Sequence, residues 1–178
     1  MVAIYYVKYL KEILGGLGVL KRQLADRAEV AEGTLSNAIS RNAISKVMQS
    51  RIRRGLDAYA QELEKRSLED FISATLTDEG RPLTIADVFQ EATIRAPGFA
   101  PEIVARGGTL KMLAEAPYSL HADQLTAISD GACFTPYIEA KLRSCYSDQK
   151  LGEPSEGVFQ TVRADAVTVI VSESKRRT

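Results

Sequence analysis

All six prolines of this chain (Pro82, Pro97, Pro101, Pro117, Pro136 and Pro154) lie beyond residue 80. Proline locks φ and removes a backbone donor, so it interrupts helices and central strands. The first 80 residues lack that breaker and can run as one helix after another, punctuated only by glycine and turn residues. The rest must be built from shorter pieces. This contrast predicts a domain boundary near Ser67, dividing the 178 residues into 1–66 and 67–178.

Charge divides at the same place. Residues 1–66 hold 12 Lys/Arg against 7 Asp/Glu, whereas residues 67–178 hold 11 against 16, so a net charge of zero hides two opposed halves. A basic module joined to an acidic one suits a nucleic-acid-binding half beside a half with another task. The remaining composition is ordinary for a globular protein, at 45% apolar and 26% charged residues. No window approaches the ~18 apolar residues of a membrane span. Met1-Val-Ala-Ile-Tyr-Tyr-Val-Lys8 lacks the basic segment and cleavage site of a signal peptide. Cys133 and Cys145 match no metal or redox spacing and are expected to be buried thiols in a reducing, cytoplasmic setting.

Apolar periodicity predicts four helices in the first half. Ile4, Tyr6, Val7, Leu10, Ile13 and Leu14 give the first, from Ile4 to Leu14, stopped by Gly15-Gly16. Leu20 to Arg27 is a short second helix, with Leu20 and Leu24 four apart on one side and Ala25 beside them, and Glu32 to Arg41 a third with Leu35, Ala38 and Ile39 inward. Glu29-Val30-Ala31 separates them. Ser45 caps a long fourth helix, whose inner face is Met48, Ile52, Leu56, Tyr59 and Leu63. Two short helices joined by a three-residue break form a helix-turn-helix, here Leu20 to Arg41. With Leu35 anchored inward, the outer side of the third helix carries Glu32, Gly33, Thr34, Ser36, Asn37, Ser40 and Arg41, all small or polar. A major groove about 12 Å wide admits a helix surfaced in this way.

The spacing Leu24-Ala25, Val30, Thr34-Leu35-Ser36 and Ile39 resembles the phage-repressor (Cro/XRE-like) helix-turn-helix family over residues 4–63. The run Thr34 to Ile39, followed by Arg51-Ile52 and Gly55-Leu56, also resembles lactose-repressor-type headpieces. Two positions depart from the pattern. Glu29 stands where the turn usually has Gly, and Ala31 where the third helix usually has a Ser or Thr cap. The resemblance implies a DNA-binding regulator of phage or mobile-element type. It places Glu32, Gly33, Thr34, Ser36 and Asn37 against bases, with Asn37 suited to adenine and Glu32 to cytosine. It places Lys21 against phosphate or a base with Arg22 beside it, and Ser40, Arg41, Asn42 and Lys46 within reach of backbone phosphates.

In the second half, Ser67 and Thr84 open helices at about 68–76 and 85–96. Pro101 suits the first turn of a helix to about Ala116, residues 121–130 form another, and Thr135-Pro136 starts one to about Tyr146. Val158 to Val162 and Ala166 to Val171, joined by Arg163-Ala-Asp165, predict a β-hairpin. The expected fold is mainly α, a helix-turn-helix bundle followed by a mostly helical domain with that hairpin.

His121 is the single histidine, so any Ser-His-Asp or Cys-His centre would have to use it. Gly15-Gly16-x-Gly18 lacks the preceding strand of a phosphate loop, and the carboxylates show no metal-loop spacing. No enzyme, metal or cofactor is expected. The expected partners are double-stranded DNA, a second copy of the chain to make a homodimer, and no membrane. The alternative is a helix-turn-helix inhibitor or adaptor whose residues 67–178 bind a protein.

Overall fold

The computed structural model describes residues 3–40 and 44–162. The chain is mainly helical and folds as two compact units: Tyr6–Gln90, and residues 91–178 with the first five residues added. The division falls at Gln90 and not near Ser67. The reason is the core. Leu68, Phe71, Ile72, Leu83 and Val88 join the same buried cluster as Ile13, Leu24, Leu35 and Leu56. Gln49, itself buried, donates through Nε2 to the Tyr6 carbonyl at 3.3 Å and to the Gln90 carbonyl at 2.9 Å. It fastens both ends of the unit to one helix.

The first unit contains α1 (Leu10–Gly16), α2 (Lys21–Ala28), α3 (Glu32–Ser40), α4 (Lys46–Leu63), α5 (Leu68–Ile72) and α6 (Ile85–Val88). Ser45 caps α4 as expected, its hydroxyl accepting from the Met48 amide at 3.1 Å. Ser67 does the same for α5 at Asp70. α2 packs mainly on α4, where Ala28 meets Gly55. The first helix begins later than its periodicity predicts. Tyr9 takes a left-handed conformation (φ 63°), with its hydroxyl donating to Asp78 at 3.2 Å, and the helix starts only after it.

Ile4, expected inside that helix, instead bridges Phe134 in parallel within the second unit, its amide donating to the Cys133 carbonyl at 2.8 Å. β-branched and aromatic residues suit such extended pairing. Phe134 also exchanges backbone hydrogen bonds with Ile94, at 2.7 and 3.1 Å. β1 (Ile94–Arg95) in turn pairs antiparallel with β2 (Gln160–Thr161), Ile94 opposite Thr161. The helix expected over 85–96 therefore stops at Val88. Pro97 disfavours helical backbone at Ala96, and Ile94 finds partners on both sides. The first arm of the expected hairpin pairs with Ile94–Arg95, and its second arm, 166–171, lies outside the described residues.

The second unit adds α7 (Phe99–Ala105), a 3-10 turn at Lys111–Ala114, α8 (Ala122–Ser129) and α9 (Pro136–Asp148). α7 ends far short of Ala116, because Gly107 turns left-handed and the Gly108 amide closes onto Ile103. Glu102 of α7 ties the following loop down. It accepts from Tyr146 Oη at 2.6 Å, from Arg106 at 2.7 Å and from the Ser155 hydroxyl, and Arg106 also donates to the Leu151 and Glu153 carbonyls. Burial alone would raise the Glu102 carboxyl, but these donors outweigh it and hold it below its ordinary value. The same contact works oppositely on Tyr146, whose phenol is pushed up by burial and by Glu102.

Candidate nucleic-acid interface

The turn between α2 and α3 shows how the chain manages without the usual glycine. Glu29 adopts the left-handed conformation (φ 56°, ψ 44°) at the C-cap of α2, its amide returning to Ala25 and Asp26. A side chain there costs about 1–2 kcal/mol relative to glycine. Part of that cost is offset outside the turn, where Arg54 of α4 donates to the Glu29 carboxylate at 2.9 Å. Both side chains are well exposed, so the pair contributes at most about 1 kcal/mol. Val30 follows, half-buried against the core, with its amide on the Ala25 carbonyl at 3.1 Å.

α3 has two distinct sides. Leu35 is fully buried and Ala38 nearly so, while Ile39 packs against the core. Glu32, Gly33, Thr34, Asn37 and Ser40 are exposed. Ser36 is half-buried, which leaves it less available than its neighbours. The Ser40 hydroxyl donates back to the Asn37 carbonyl at 3.1 Å. Around Gly33 the space is open: a Cβ built there meets nothing within 4 Å. Lys21 and Arg22 are exposed on the first turn of α2, and Lys46 is exposed at the start of α4. Arg41 and Asn42 lie outside the described residues.

The unit boundary alters the charge picture. Counted over residues 6–90, 13 Lys/Arg stand against 12 Asp/Glu, so the unit as folded is close to neutral. Two of the added carboxylates are engaged in ion pairs: Asp78 with Lys8 at 3.7 Å and Asp87 with Arg81 at 2.6 Å. Arg27 is likewise committed, paired with Glu62 at 3.1 Å and lying over the Tyr59 ring. Lys21 and Arg22 are exposed cations on the first turn of α2.

Lys11 is not singled out by its sequence pattern, and Leu20 departs from the side of the second helix it is expected to share with Leu24, which is fully buried. Lys11 of α1 lines a surface groove together with Lys21 and Ser40, and Leu20, just before α2, is 63% exposed. The helix starts one residue later than expected, which makes Leu20 an N-cap and turns it out to solvent. Lys11 carried no signal, because its place depends on how α1 meets α3.

Elsewhere the chemistry is sparse. Among the described residues no group of three His, Cys, Asp or Glu side chains could hold a metal. His121 is an exposed N-cap of α8, with its amide donating to Gln124 at 3.0 Å. Cys133 and Cys145 are free and buried, as expected. Lys141 donates to the Pro117 and Tyr118 carbonyls, and burial pushes its ammonium down to about 8. Among the described residues no helix is long and apolar enough to cross a membrane. Comparison of the chain with protein families, with curated proteins and with solved structures returns no match.

Proposed function

We propose that the chain is a sequence-specific duplex-DNA-binding regulator of transcription, a repressor acting as a homodimer, with α3 as its major-groove reader. The observation that carries this reading is the two-sidedness of α3. Its inner side is locked by Leu35 and Ala38, and its outer side offers only small or polar groups. A helix held this way can enter a groove without rearranging. Asn37 is the residue for adenine and Glu32 for cytosine, while Lys21, Arg22 and Lys46 neutralise phosphates and set register. One short helix reads few base pairs, so two copies on half-sites about 34–36 Å apart supply the rest. The second unit is then the dimerisation or effector part.

Selection of bound genomic fragments, followed by fluorescence anisotropy across a salt series, tests this. Affinity should fall steeply with salt, because binding releases counterions. Asn37→Ala should erase preference at a subset of positions, each worth about 1–3 kcal/mol. Lys21→Gln should weaken all sequences alike and lower the salt slope by about one. Binding that ignores salt, or no enriched fragment, overturns the reading.

A further inference from the structure

Leu20 breaks two local rules together. It holds the N-cap position of α2 in extended conformation, with no side-chain cap bond, where Ser, Thr, Asp or Asn would satisfy an orphan amide. Its side chain is also 63% exposed, leaving most of a large apolar group in water. Departures of this kind concentrate where function overrides stability. Leu20 does not stand alone. It lines a groove of about 530 Å³ with Leu14, Val19 and Ile39, contributed by α1, α3 and the segment before α2. That volume is within the usual range for bound groups, about 300–1,000 Å³.

The edge of the groove carries Lys11 and Lys21, both exposed. Neither has a carboxylate partner among the described residues. An apolar floor beside two unpaired ammonium groups complements an apolar side chain flanked by carboxylates. A second copy of the chain suits it less well. A two-fold contact places the same patch on both sides, so the two pairs of lysines would be brought toward one another. An amphipathic helix laid in a groove is a common way to satisfy such a surface.

We propose that this groove docks a segment of a protein partner that sets a large apolar side chain against Leu20 and turns carboxylates toward Lys11 and Lys21. Lys21 and Ser40 belong both to the groove and to the DNA face, so the docked segment and DNA exclude one another, a consequence that rests on the DNA reading above. The partner would then lift the regulator from its site by direct competition.

The test uses the full chain and a synthetic helical peptide with two leucines four residues apart flanked by glutamates. Its control has glutamine at each glutamate. The acidic peptide should bind about tenfold more tightly than the control. Leu20→Ser should weaken it about tenfold without lowering the Tm, because serine supplies the missing cap. Lys11→Gln should weaken the acidic peptide and leave the control unchanged. Equal affinity for the two peptides, affinity indifferent to Leu20→Ser, or no binding overturns the docking site. Self-association that Leu20→Ser abolishes, without peptide binding, also overturns it and assigns the groove to a second copy. Peptide binding by a chain that binds no DNA upholds the docking site and overturns the DNA reading. DNA that stays bound when the peptide is saturating overturns the exclusion.

Discussion

Gly55 and Gly33 are both helical glycines, yet they are there for different reasons. A Cβ at Gly55 would stand 2.9 Å from both the Cβ and the amide nitrogen of Ala28. α2 and α4 touch backbone to backbone at this point, and nothing flexible can give way. Gly55→Ala should therefore destabilise the chain by about 1–3 kcal/mol, although alanine is the better helix former. Gly33 has open space around it, so Gly33→Ala should stabilise α3 by up to about 1 kcal/mol. Urea denaturation of the two variants checks the opposite signs. On the proposed DNA face, the added methyl at Gly33 should also weaken binding, separating affinity from stability.

Among the elements, α6 shows how four helical residues are held in place. The Asp87 carboxylate accepts from the Thr84 amide and hydroxyl, each at 2.8 Å, and from Arg81 Nη1 and Nη2 at 2.7 and 2.6 Å. The Arg81 hydrogen bonds, helped by the Thr84 donors, hold the carboxyl well below the ordinary range despite the opposing effect of burial. A depressed folded-state value means this contribution is complete above the unfolded carboxylate value of about 4 and is lost as pH falls through the lowered one. Asp87→Asn should be less stable than the parent near neutrality, and the difference should shrink between about pH 4 and pH 2. Thermal melts at stepped pH measure it. A difference that stays constant across that window would show that the ion pair contributes nothing to the cap.

The two units can be probed separately because both cysteines belong to the second. Cys133 and Cys145 are buried, and burial pushes both thiols up, so labelling should be slow until that unit opens. Ile4 lies at its edge, buried and bridged to Phe134. Ile4→Ala should cost about 2–5 kcal/mol and speed labelling of both thiols by a thiol-reactive dye. Labelling unchanged in that variant would mean the Ile4–Phe134 bridge adds nothing to the second unit. The DNA binding proposed for the first unit should survive the same change.

What could be read along the chain was what neighbours a few residues apart decide. Leu24, Val30 and Leu35 marked the helix pair, Ser45 and Ser67 supplied their own cap bonds, and the outer side of α3 followed from its inner anchors. These are interactions within one or two helical turns, and their spacing is written in the residues themselves. Ile4 fitted a helical stripe equally well, and only Phe134, distant in sequence, made it extended. Ile94 likewise left the helix because Phe134 and Thr161 offered it backbone partners. The boundary at Gln90, the near-neutral charge of the first unit, and the meeting of Lys11, Leu20 and Lys21 at one groove belong to the same class. Each depends on which surfaces become buried together, a choice made by the whole core and not by any local run of residues.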